Sequence, residues 1–137
     1  MTGPMREPTF LILTALAPEP RYGYEIIREV AGLSGGRLKL RPGTLYGALD
    51  RLADAGLLER DREEVADGRL RRYYRLTEAG SVALTAEAER LDRNAAAARL
   101  GLDRRAARSA AGSTGRSGAG SAVGSAAASP RLAGGTA

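Results

Sequence analysis

Hydrophobic positions along the chain change period several times, and each change marks an element. From Phe10 to Leu16 every residue but Thr14 is apolar. Such a run reads as a helix packed on most sides, with Thr9 as its N-cap and Pro18 and Pro20 ending it. In "RYGYEIIREVAG", Ile26, Ile27 and Val30 form an apolar stripe with Glu25, Arg28 and Glu29 outside it. That stripe predicts a second helix over 22–31, closed by Gly32. "LSGG" is a turn, and Leu38 and Leu40 alternate in "RLKL" as in a short extended piece. A third helix starts at Pro42, a residue suited to the first helical position. Leu45, Leu49 and Leu52 form its inner face at i, i+4 and i+7, and Gly56 follows its end.

The period then shortens to two. "LLERDREEV" and "RLRRYYRL" flank Asp67-Gly68, a strong signal for a two-residue hairpin. In the second strand, alternation places Leu70, Arg72, Tyr74 and Leu76 on one face and Arg69, Arg71, Tyr73 and Arg75 on the other. A last helix begins after Thr77 as N-cap, with Glu78 in its first turn. Leu84, Ala88, Leu91, Ala95, Ala98 and Leu102 recur at heptad spacing, which suits a helix–helix seam although half of it is alanine. The sequence is thus mostly α with a small β-hairpin wing. This is the order of a winged helix-turn-helix followed by a C-terminal dimerisation helix. The boundaries expected are 1–76 for the DNA-binding unit, 77–102 for the dimerisation helix and 103–137 for a tail.

Composition sharpens the picture in two places. The chain of 137 residues has no Cys and no His. This removes the common zinc sites, thiol nucleophiles, disulfides and His-based triads, so neither an enzyme nor a cofactor is expected. Phe10–Leu16 is too short to span a membrane, and a cytoplasmic protein without membrane contact is the expectation. The net charge is +5. Residues 1–103 carry 16 basic and 16 acidic side chains, so the whole surplus lies in Arg104, Arg105, Arg108, Arg116 and Arg131. A body that binds DNA must therefore do so through a local patch. From Arg104 onward, 24 of 34 residues are Ala, Gly or Ser, a composition that predicts a disordered tail.

Three segments, "LILTALAPEPRYGYEIIREV", "PGTLYGALDRLADAGLLE" and "GRLRRYYRLTEAG", occur in an order and spacing that resemble the PadR family of transcriptional regulators. The resemblance covers about residues 8–102. It implies a dimeric repressor that binds double-stranded DNA, often released by a small-molecule effector, with the last helix supplying much of the dimer interface. Two positions depart from the family's pattern: Arg41, where a small cap such as Ser is usual, and Gly47, where Pro is often found.

The candidate DNA contacts follow from chemistry and position. Thr44 and Tyr46 lie in the first turn of the third helix, where hydroxyls and free backbone N–H groups suit phosphate or a base edge. Arg51 shares the polar face with Thr44, and a guanidinium at Arg41 is placed to reach phosphate. In the hairpin, Arg69, Arg71, Arg72 and Tyr73 are the candidate backbone contacts. Each has a plainer alternative. Tyr46 covers the core edge, Arg51 pairs with Asp54, and the wing arginines are offset by Asp61, Glu63 and Glu64. For dimerisation the candidates are Phe10 and Leu13 together with the seam Leu84, Ala88, Leu91, Ala95, Ala98 and Leu102. Two recognition helices about 34 Å apart would read a palindromic operator. A different class of function, a winged helix that binds other proteins instead of DNA, also fits the layout.

Overall fold

The computed structural model describes residues 3–116. Its elements run α1 (Glu7–Leu16), β1 (Arg21–Tyr22), α2 (Gly23–Leu33), α3 (Pro42–Asp54), β2 (Leu58–Ala66), β3 (Arg69–Leu76) and α4 (Glu78–Arg116). By its contacts the chain divides into a unit up to Arg90 and a second unit from Leu91 onward.

In the first unit, one aliphatic core joins the three short helices to the sheet. Ile12, Leu13 and Leu16 of α1, Ile26 and Val30 of α2, Leu45 and Leu49 of α3 and Leu58 of β2 are almost wholly buried. The helix spacing read from the leucines of α3 is therefore the spacing of the observed buried face. Helix α1 starts two residues before Thr9: Arg6 is its N-cap and Pro8 lies in the first turn, where a missing N–H costs nothing. Helix α2 runs through Gly32 to Leu33, and its close is made instead by Ser34, Gly35 and Gly36. The Ser34 hydroxyl donates to Ala31 O and accepts from Leu38 N–H, fixing the turn that leads to α3. Residues 37–40 form no strand.

The sheet has the order β1-β3-β2, all antiparallel. The two-residue β1, absent from the sequence expectation, pairs Arg21 with Tyr74 and Tyr22 with Tyr73, so β3 is a central strand. Asp67 and Gly68 both adopt positive φ, 53° and 74°, the backbone of a type I′ turn. The β2–β3 register shifts by one residue between Arg60 and Glu63, a bulge that sets Asp61 and Arg62 opposite Tyr73.

Thr77 caps α4 by accepting the Gly80 N–H and donates its hydroxyl to Gly56 O. A Cβ on Gly80 would collide with Leu57 O and lie 2.8 Å from Leu76 Cδ1, so this glycine allows α4 to start against the strand. Glu87 is buried although charged. Its Oε2 accepts the Met5 N–H at 3.3 Å, and Arg90 donates to both carboxylate oxygens. The Arg90 guanidinium holds the Glu87 carboxyl below its usual range, against the opposing effect of burial. In the second unit α4 continues to Arg116 where the sequence reading expected disorder from residue 103. Alanine is the best helix former, and grouping it with Gly and Ser hid this signal. The rest of the expected tail, 117–137, lies outside the described residues. No helix among the described residues is long and apolar enough to cross a membrane.

Candidate nucleic-acid interface

The first turn of α3 is open to solvent. Arg41, Pro42, Gly43 and Thr44 are exposed, and Arg41 makes no side-chain cap, so the leading N–H groups have no side-chain acceptor. Leu45 alone in this turn faces inward, and its N–H bonds Arg41 O at 2.9 Å. Tyr46 is 45% exposed, with its hydroxyl over the backbone of Gly23 at the start of α2. A Cβ on Gly23 would overlap that oxygen and lie 2.9 Å from Tyr46 Cζ. Gly23 thus lets α2 and α3 approach while Tyr46 stays at the surface. The next residue, Tyr24, is exposed with the Arg28 guanidinium 5.1 Å from its ring centroid. Both residue types expected for DNA contact at this helix end are therefore outside the core.

Further along α3, Arg51 is exposed and forms no ion pair among the described residues, so the alternative pairing with Asp54 is not made. Its Nη1 would lie 3.6 Å from a Cβ on Gly47, so the side chain folds back along the helix.

The wing packs one face on the core. Leu58, Tyr74 and Leu76 join the cluster that holds Leu45 and Leu49. Burial raises the Tyr74 phenol pKa, Arg60 and Arg72 oppose this, and Tyr46 and Asp50 of α3 add to it. The phenol thus lies within electrostatic range of both α3 and the wing.

The opposite face corrects one candidate. Tyr73 is 7% exposed and is not available to DNA. Its ring meets Tyr22 edge-on at 5.4 Å, Arg62 lies 3.8 Å above it, and its hydroxyl donates to Glu64 at 3.0 Å. Strand alternation gave the face correctly, but the unforeseen β1 covers it. Burial and the Glu64 carboxylate both raise the Tyr73 phenol pKa.

The wing arginines divide in two. Arg71 turns toward Tyr22, 4.6 Å from its centroid, and pairs with Asp67 at 3.6 Å. Arg72 pairs with Glu63 at 3.2 Å, and Arg75 with Glu59 and Asp61. Part of the plainer alternative is therefore realised. Arg69, beside the turn, is exposed and has no ion pair among the described residues. The same holds for Lys39, Arg41, Arg51 and Arg60. Lys39 and Arg60 were missed from sequence. Arg60 alternates with acids in β2, and only its cross-strand partner, the buried Tyr74, reveals which face it is on.

The dimerisation candidates also separate. Leu13 is fully buried in the core of the first unit, which corrects its assignment to an intersubunit surface. An all-apolar helix gave no way to tell inner from outer positions. Phe10 and Leu84 are partly buried and pack on the same core, and Ala88 is half-buried. In the second unit Leu91, Ala98 and Leu102 are exposed and Ala95 is half-buried.

Helices α2 and α3, joined by a short turn and followed by a β-hairpin, define a winged helix-turn-helix protein. Residues 12–86 match the Transcriptional regulator PadR-like family. The chain belongs to that family, whose members are regulators of transcription and not enzymes. Over 54 residues it is 48% identical to the transcriptional regulator Rv3488 of Mycobacterium tuberculosis, covering 39% of this chain and 50% of that protein. A PadR family transcription regulator from Clostridium difficile superposes with a TM-score of 0.60 at 25% identity, over 71% of this chain and 99% of that one. Bacillus subtilis PadR in complex with operator DNA superposes with a TM-score of 0.53 at 23% identity, over 59% of this chain and 46% of that one.

Proposed function

We propose that the chain is a dimeric, sequence-specific DNA-binding repressor. Each protomer would set the first turn of α3 into a major groove and its wing along the backbone. The observation that carries this reading is the exposed Thr44 and Tyr46 together with Arg51 of α3, its N-cap Arg41, and Arg60 and Arg69 on the wing, all four arginines without an ion pair among the described residues. An unpaired cation gains from phosphate without first losing a carboxylate. The Bacillus subtilis neighbour, solved with operator DNA, supports the same use of the fold.

Dimerisation is supported by the uncovered apolar positions of α4. Leu91, Leu100 and Leu102 are exposed in the second unit, and helices in proteins draw most of their stability from packing an apolar face. A second copy would bury the Leu91–Leu102 seam, and a two-fold dimer reads inverted half-sites. The repressor role and release by a small-molecule effector rest on the family resemblance.

The test is fluorescence anisotropy with a duplex from upstream of the protein's own gene, titrated with salt. Tight binding there, with Thr44→Ala and Arg51→Ala weakening it relative to a scrambled duplex, is expected. Absence of salt-dependent binding to any duplex would overturn the DNA reading and favour a protein-binding winged helix.

A further inference from the structure

The wing presents cations that are already neutralised beside cations that are not, and the division follows strand geometry. Glu63 and Arg72 are register partners on neighbouring strands, with Nε and Oε2 3.2 Å apart and both side chains half exposed. Arg72 alternates with Leu70, Tyr74 and Leu76, so it belongs to the wing face whose inner residues pack with the leucines of α3. Arg71 and Arg75 alternate with Tyr73, on the face that meets Tyr22. Arg72 is therefore the paired wing arginine on the same side as the recognition helix, and Glu63 is the group that holds it.

We propose that Glu63 is a specificity-determining residue: it stands in for a DNA phosphate, occupying Arg72 in the free protein until the wing is seated on the backbone. The inference rests on the DNA-binding reading above. An exposed ion pair in this geometry is worth little, so exchanging carboxylate for phosphate is close to neutral. On DNA of arbitrary sequence nothing holds the wing against one phosphate, and the pair stays closed. On a sequence that α3 reads, the wing is held in place and the exchange proceeds. The sequence-independent part of the affinity is thereby kept low.

Counterion release makes the idea measurable. A free arginine that neutralises a phosphate adds about 0.9 to the slope of log affinity against log salt. Arg72 exchanges one anion for another and adds less. The experiment is anisotropy of the full chain on a mixed-sequence duplex, with wild type, Glu63→Gln, Arg72→Ala and the double variant, over a series of salt concentrations. Glu63→Gln should bind this duplex roughly three- to tenfold more tightly at 0.1 M salt, because the released Arg72 gains a phosphate partner, and steepen the slope by about 0.9. In the Arg72→Ala background most of that gain should vanish. An unchanged affinity and slope for Glu63→Gln, with salt-dependent binding by the wild type, overturns this proposal alone. So does an equal gain in both backgrounds, which would make Glu63 a general surface charge. Failure of the wild type to bind any duplex overturns the DNA reading and this inference with it.

Discussion

Replacing Gly23 with alanine tests the link between helix packing and the reading surface. The new Cβ would overlap the Tyr46 hydroxyl and lie 2.9 Å from Cζ. Carbon contacts are ordinarily about 3.5 Å or more, so the ring has to shift by at least roughly 0.6 Å. Tyr46 is 45% exposed and free to swing outward. Its displacement costs about 0.5–1.5 kcal/mol if it leaves its rotamer. Gly23 is the first residue of α2, where alanine's advantage over glycine is at most about 1 kcal/mol, so the fold should lose no more than about 1.5 kcal/mol. Affinity is where the change should appear. Misplacing one contact at about 1.4 kcal/mol weakens operator binding about tenfold. The assay is anisotropy on the upstream duplex, paired with thermal melting. Because the clash is with Tyr46, the same substitution in a Tyr46→Ala background should raise stability and cause no further loss of binding. Wild-type affinity for Gly23→Ala, or an undiminished loss when Tyr46 is already alanine, would refute the reasoning.

Three other outcomes follow from burial and charge. Leu13→Ala, at a fully buried site, should lower stability by about 2–5 kcal/mol in chemical denaturation. Leu102→Glu, at a site 62% exposed, should leave the melting of the first unit unchanged and shift light scattering toward monomer. Glu87 titrates below its usual range when folded, held there by Arg90. Its stabilising contribution is therefore complete above the unfolded carboxyl value and is lost as pH falls through the lowered folded value. Melting temperatures of wild type and Glu87→Gln should differ at pH 7 and converge as the pH falls through that lowered folded value.

Local chemistry was legible where it acts alone. Asp67-Gly68 announces its turn because both residues tolerate positive φ, and the α3 leucines announce a buried face because nothing else fits their spacing. What could not be read depended on distant partners. Two residues of β1 carry no periodicity, yet they bury Tyr73 and turn Arg71 inward. The bulge at Asp61 and Arg62 has no sequence signature, and it accompanies the stacking of Arg62 on Tyr73. Within the candidate interface, residue type and helix position sufficed for Thr44 and Tyr46. For the arginines, the deciding fact is which carboxylate each one faces, and only the strand register supplies it.

The central claim is that the start of α3 and the unpaired cations around it form one DNA-reading surface. Its most direct test is amide and side-chain NMR of the full chain titrated with the upstream duplex. The largest shifts should fall on residues 43–47 and Arg51, with Arg60, on the wing face that meets α3, moving alongside them. Shifts concentrated on α1 or on the Tyr22–Tyr73 face, with Thr44 and Tyr46 unmoved, would contradict it.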